Sequence, residues 1–176
     1  YQDGFLRDLF VDVFGYTLKP NENSNLHREF KNQSDGKKAD GAIVKDDKAI
    51  AVIELKSTKT KDLKSITQQA FNYKNNQPEC KYVITSNFEK LRFYIDNAVD
   101  FEEFNLFQLS KKRFCILYLC LSAEYLLKDI PKQIKNESLT QEENVTKKLY
   151  KDYASFRNEI FNSIQQENPE YDKLTL

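Results

Sequence analysis

Glycine and proline are scarce in this 176-residue chain, with four of each, and that scarcity excludes a low-complexity or linker-like architecture. Cysteine is as rare. Cys80, Cys115 and Cys120 make neither a Cys-x-x-Cys pair nor an even set, so a disulfide framework is not expected and a reducing, cytoplasmic setting is the simplest expectation. His27 is the single histidine; without a second histidine or suitably spaced cysteines, a zinc site lacks ligands. Ser57 and Thr58 have no histidine base nearby, which removes a serine-nucleophile hydrolase. The longest apolar run, Phe114 to Leu121, is far below the ~20 residues that cross a bilayer. No charged-then-apolar leader stands at the start, and the expectation is a soluble protein that is not secreted. An excess of either charge is also missing, with 27 Lys and Arg against 27 Asp and Glu, so the chain as a whole is not a broad nucleic-acid-binding surface.

What is present is an ordered globular composition: 40% hydrophobic, 31% charged, with 13 Phe and 10 Tyr. The length suits one α/β core with an appended element. The even charge balance hides a local bias, because residues 28–64 carry ten Lys or Arg against seven Asp or Glu, net +3, leaving net −3 elsewhere.

Apolar residues at helical spacing from Phe5 to Phe14, followed by Gly15, predict an amphipathic helix over Asp3 to Phe14 with a glycine C-cap. Residues 17–25 read as a loop. Leu26 to Gln33 predicts a first strand ended by the turn Ser34-Asp35-Gly36. Ala39 to Val44 and Ala49 to Leu55 predict a hairpin about Lys45-Asp46-Asp47-Lys48. The second of these strands is apolar on both faces until Glu54, which predicts a central position in a sheet covered on both sides. Leu63, Ile66, Ala70 and Tyr73 mark a helix over Lys61 to Asn75. Lys81 to Thr85 and Leu91 to Ile95 predict two further strands. The pattern is an α/β sandwich with a central mixed sheet flanked by helices. After about Ser110 the texture becomes helical: one long helix carries Phe114, Leu117, Tyr118, Leu121, Tyr125 and Leu126 on a face. A polar connector is expected over 135–144 and a second helix over 145–166. This predicts a core domain over 1–110 and a helical extension over 111–176.

The chemistry gathers at one end of the predicted hairpin. Asp40 opens one strand while Glu54 and Lys56 close the other, and antiparallel pairing brings the three together. Residues two apart on a strand share a face, so Glu54 and Lys56 lie side by side. Pairing about the turn sets Asp40 opposite Ile53 or Glu54, according to a one-residue choice of register. An acid and a lysine closing an apolar central strand are costly to bury without a purpose. Two carboxylates that converge can hold Mg²⁺, or Mn²⁺ in its place, which neutralises a scissile phosphate and activates water. A neighbouring lysine can orient or help deprotonate that water and offset developing charge. Asp40 and Glu54 are therefore the expected metal ligands and, with Lys56, the expected catalytic residues. Lys59, Lys61 and Lys64 are candidate contacts to a DNA backbone, although a lysine-rich helix start is equally a solvated face.

Asp40, thirteen intervening residues and Glu54-Leu55-Lys56 resemble the signature of the PD-(D/E)XK nuclease superfamily, with Ala39 where the first half of the motif has proline. Gln69 and Tyr73 on the following helix resemble the Gln-x-x-x-Tyr motif of part of that superfamily, which adds Gln69 to the catalytic set and Tyr73 to the candidate DNA contacts. The stretches Lys38-Ala39-Asp40-Gly41-Ala42-Ile43 and Ile53-Glu54-Leu55-Lys56-Ser57 are similar to the N-terminal cleavage domain of type IIG restriction enzymes, which fuse endonuclease and adenine methyltransferase. The C-terminal stretch, with Leu149-Tyr150-Lys151 and Asn168-Pro169-Glu170-Tyr171, is similar to the helical connector of those enzymes, as though the chain were the front portion of a longer one.

The resemblance implies a restriction-endonuclease-like fold and a Mg²⁺-dependent deoxyribonuclease of a restriction-modification system. Such an enzyme cleaves double-stranded DNA to leave 5′-phosphates, with S-adenosylmethionine bound only in a downstream methyltransferase. It also implies an acid from the first helix at the metal; Asp3, Asp8 and Asp12 are all available, and spacing does not choose among them. Two rivals keep the same fold: a catalytically inactive DNA-docking or assembly module, and a repair or recombination nuclease.

Overall fold

A computed structural model describes residues 2–31, 37–167 and 169. The expected turn at Ser34-Asp35-Gly36, the strand end at Gln33, and the closing residues Asn168, Glu170 and 171–176 lie outside the described residues. The chain divides into two compact units, Tyr1–Pro131 and Lys132–Leu176.

The first unit is a mixed α/β sandwich. Among the described residues its strands are β1 (Leu26–Lys31), β2 (Lys38–Lys45), β3 (Lys48–Leu55), β4 (Tyr82–Ser86), β5 (Lys90–Ile95) and β6 (Phe101–Asn105). They lie in sequence order across one sheet. Every neighbouring pair is antiparallel except β3 and β4. That parallel pair needs a crossover, which helix α2 (Lys64–Asn75) supplies. β6 was not expected. Of its residues only Phe104 is buried, so it shows none of the in-and-out alternation that betrays a strand in sequence.

The hairpin between β2 and β3 turns on Asp46 and Asp47, whose φ values of 50° and 60° belong to the two-residue turn that matches strand twist. A bulge between Ile43 and Val44 shifts the register, so that Gly41 faces Ile53. Asp40 therefore stands one step further on, abreast of Glu54. β3 is buried from Ala51 to Leu55, as its apolar run requires, because both faces of the sheet are covered.

One face carries the larger core. Ile43, Ile53, Leu55, Ile84 and Phe93 meet Leu6, Phe10, Phe14, Leu117 and Leu121. The first helix is not uniform: α1 (Gln2–Phe5) runs into a π-helical segment, Leu6–Val11, closed by bonds such as Asp12 N to Arg7 O and Phe14 N to Leu9 O, both 3.0 Å. This wider winding turns Leu6, Phe10 and Phe14 inward and leaves Val13, expected on the buried stripe, exposed. Gly15 ends the segment at φ 77°, the left-handed C-cap its sequence position predicts. On the opposite face α2 packs Ala70 and Tyr73 against Val52, Val83 and Tyr94.

The first compact unit runs past Ser110, near which the sequence places a boundary, and ends at Pro131. Helix α3 (Lys111–Leu121) and the short α4 (Ala123–Leu126) give Leu117, Cys120, Leu121 and Leu126 to the core, so they belong to the first unit. They are also two helices and not one long one, because Ser122 between them is extended, at φ −67° and ψ 145°. The expected polar connector over 135–144 is helical. Helix α5 runs unbroken over Ile130–Glu167. Its connector part has no apolar stripe but contains neither Gly nor Pro, and Lys, Glu, Gln and Leu sustain a helix by propensity. Among the described residues no helix is long and apolar enough to cross a membrane.

Candidate active site

Asp40, Glu54, Lys56, Gln69 and Tyr73 converge where the start of β2, the end of β3 and the middle and last turns of α2 meet. Strand alternation puts Glu54 and Lys56 on the α2 side of the sheet, and α2 presents Gln69 and Tyr73 one helical turn apart. The Leu55 amide donates to Asp40 Oδ2 at 2.7 Å. This bond fixes the Asp40 carboxylate at the backbone between Glu54 and Lys56.

Glu54 is 2% exposed. Its Oε1 accepts from Lys56 Nζ at 2.8 Å and from Gln69 Nε2 at 2.7 Å. Gln69 Nε2 also lies 3.3 Å from the Tyr73 hydroxyl. The other carboxylate oxygen, Oε2, is buried and has no hydrogen-bond partner among the described residues. Burial pushes the Glu54 carboxyl above its ordinary range and the charge of Asp40 pushes it further, while the bond from Lys56 pulls back and loses. For Lys56 burial works downward, but the hydrogen bond with Glu54 and the charges of Glu54 and Asp40 outweigh it and hold the amine above its ordinary value. Lys56 is thus an ammonium at neutral pH, suited to donating hydrogen bonds and offsetting negative charge, not to removing a proton.

The donor set fits a hard divalent ion. A buried carboxylate oxygen without a partner is expensive, and a cation bound there removes the cost. Mg²⁺ characteristically takes one or two carboxylates and keeps several waters, and two carboxylates are what this corner offers. A group of three or more acidic, His or Cys residues able to hold a metal does not occur among the described residues. None of the first-helix acids joins Asp40 and Glu54: Asp3 pairs with Arg28 at 3.1 Å, and Asp8 and Asp12 are exposed.

Lys59 and Lys61 are exposed in the segment between β3 and α2, and Lys64 is exposed at the start of α2. Asp62 Oδ1 accepts from the Lys64 amide at 2.9 Å, just ahead of the helix. The segment is moored by Asn87 Nδ2 donating to Thr60 O at 2.8 Å. Part of the basic surplus is neutralised locally, since Lys38 pairs with Glu29 and Lys48 with Glu79. His27 sits in β1 with its Nε2 3.4 Å from Ser24 Oγ, apart from the acidic corner.

Sequence reading missed Thr85. It is fully buried beside Glu54, as its register partner on β4. Only the parallel pairing of β3 with β4 brings it there, and nothing within either strand announces that register. Comparisons of the chain with protein-family models, with curated proteins and with solved structures find no match.

Proposed function

We propose that this protein is a metal-dependent deoxyribonuclease that hydrolyses a DNA phosphodiester to a 5′-phosphate and a 3′-hydroxyl, in the service of a restriction system. The observation that carries the reading is Glu54: a buried carboxylate with one oxygen anchored by Lys56 and Gln69 and the other unpartnered, beside an Asp40 clamped to the adjoining backbone. A buried carboxylate kept only for structure is expected to have both oxygens hydrogen-bonded.

Asp40 and Glu54 would hold the ion, which supplies charge neutralisation at the phosphate and an activated water. The protein's own residues do the rest. The Leu55 amide keeps Asp40 from swinging away, and Gln69 keeps Glu54 Oε1 in place as substrate arrives. Lys56, held protonated, donates to the phosphate oxygen on which negative charge grows. The water gives up a proton to solvent as its oxygen bonds to phosphorus, the bond from phosphorus to the 3′ oxygen breaks, and the departing oxygen takes up a proton from solvent.

Supercoiled plasmid incubated with Mg²⁺, with Mn²⁺ and with EDTA tests the proposal. Nicking or linearisation that requires the metal and vanishes in Glu54→Gln supports it. Cutting that survives EDTA or Glu54→Gln overturns it. DNA affinity indifferent to metal and to Glu54→Gln, without cutting, would favour the docking-module reading. A preference for branched or linear over closed circular DNA would favour repair or recombination over restriction.

A further inference from the structure

Two buried polar side-chain atoms on adjacent strands lack partners among the described residues: Glu54 Oε2 and Thr85 Oγ1. They are not scattered. Glu54 and Thr85 are direct register partners on parallel strands β3 and β4, so their Cα atoms lie about 5 Å apart and their side chains leave the sheet on the same face. Both residues are essentially inaccessible, at 2% and 0% exposure. Unsatisfied buried polar groups are uncommon, and each one calls for a reason. Two of them side by side, one an acceptor and the other a donor, call for the same reason.

We propose that Thr85 is a positioning residue for Glu54, its hydroxyl donating to Oε2 and aiming that oxygen at the bound cation. A carboxylate offers about four lone-pair directions. Two, on Oε1, are filled by Lys56 and Gln69. Thr85 and the cation fill the two on Oε2. A threonine hydroxyl is a rotor, and a turn about Cα–Cβ between staggered wells re-aims it. The cost of an unmade bond disappears for both residues when the contact closes. Groups that orient a metal ligand in this way typically change metal affinity about 10–100-fold when removed.

The metal arm of this inference rests on reading Glu54 as a ligand; the contact itself does not. Titration calorimetry with Mn²⁺ on the full chain is the first measurement. Thr85→Val, which keeps the shape and removes the donor, is expected to weaken Mn²⁺ binding about tenfold, whereas Thr85→Ser, which keeps the donor, stays within about twofold of the parent. Equal affinity in the parent and Thr85→Val overturns the proposal, and Thr85→Ala serves the same comparison should the valine variant not fold.

The second measurement needs no metal: melting temperatures of Thr85→Val, Glu54→Gln and the double variant. Effects that fail to add are expected for two side chains in contact, and additivity overturns the contact. A parent that binds no Mn²⁺ defeats the reading of Glu54 as a ligand, and the melting cycle alone then decides the fate of Thr85.

Discussion

The Asp40 carboxylate is tied to the strand that carries its two partners by a bond from the Leu55 amide to Oδ2 at 2.7 Å. The bond couples fold to chemistry, because the atoms that close the hairpin also set where the carboxylate points. Leu55 is itself buried, so the amide has no water to turn to.

This makes substitutions at Asp40 separable. Asp40→Asn keeps an acceptor for the Leu55 amide but loses the charge, and is expected to lower metal-dependent plasmid cleavage by roughly 100-fold or more with little change in melting temperature. Asp40→Ala removes the acceptor too. Leaving the amide unsatisfied costs about 1–3 kcal/mol, so its melting temperature falls as well. Nicking assays and calorimetry on the two variants check this, and an Asp40→Asn protein that cuts like the parent would remove Asp40 from the site.

Gln69 and Tyr73 separate in the same manner. Gln69→Ala leaves Glu54 Oε1 with Lys56 as its one remaining donor, and cleavage should drop about 10–100-fold, as when the support of a metal ligand is lost. Tyr73→Phe keeps a ring that packs with Val52 and Val83 and gives up only a long 3.3 Å contact. The loss is at most about 1 kcal/mol, or about fivefold in rate. Single-turnover rates and DNA affinities for the pair tell a DNA-contacting tyrosine from a packing one: a large loss of DNA affinity in Tyr73→Phe would support the DNA-contact role that the resemblance implies.

How far the sequence anticipated this corner depends on the range of the interactions. The meeting of Asp40, Glu54 and Lys56 follows from strand alternation and a two-residue turn, both local, and so it was legible; Gln69 entered through the resemblance to the Gln-x-x-x-Tyr motif, helical spacing only setting it one turn from Tyr73. Thr85 was not legible, because its place beside Glu54 depends on a parallel register set by the crossover through α2. β6 escaped because only Phe104 of its five residues is buried. The break at Ser122 was hidden by apolar positions that continue in phase on either side of it. The stretch 135–144 looked like a connector because its helix has no face to bury. The π segment is invisible to a 3.6-residue pattern, and it is what turned Val13 outward.

Protonation of Glu54 gives a pH signature. Its carboxyl titrates above the ordinary 4.5, burial being the main cause, so the fold favours the protonated form. The stabilisation is complete below the unfolded value and is lost as pH rises through the raised one. The melting temperature of the metal-free parent, relative to that of Glu54→Gln, should therefore decline from pH 4.5 upward. Mn²⁺ affinity should rise over the same window, because the ion competes with the proton for the carboxylate. A relative melting curve that is flat, or that climbs, would mean that the Lys56 bond and not burial dominates.

The placement of α3 and α4 predicts where the first unit can end. Leu117, Leu121 and Leu126 are at most 1% exposed and pack with the strands of the sheet. Each contributes about 1.5–3 kcal/mol by burial, so together they approach the whole stability of a domain of this size, about 5–15 kcal/mol. The first unit is anchored on that side by Arg113 as well, which donates to Glu102 at 2.9 Å and to the Glu103 carbonyl at 2.7 Å and lies 4.5 Å from the centre of the Phe104 ring. A chain ending at Ser110 is therefore expected to show no cooperative melting transition, while one ending at Pro131 melts cooperatively. Within the full chain Leu121→Ala should cost about 2–5 kcal/mol. Circular dichroism melts of the three proteins check this, and a chain ending at Ser110 that melts as sharply as the full one would return the boundary to the place its sequence texture first indicated.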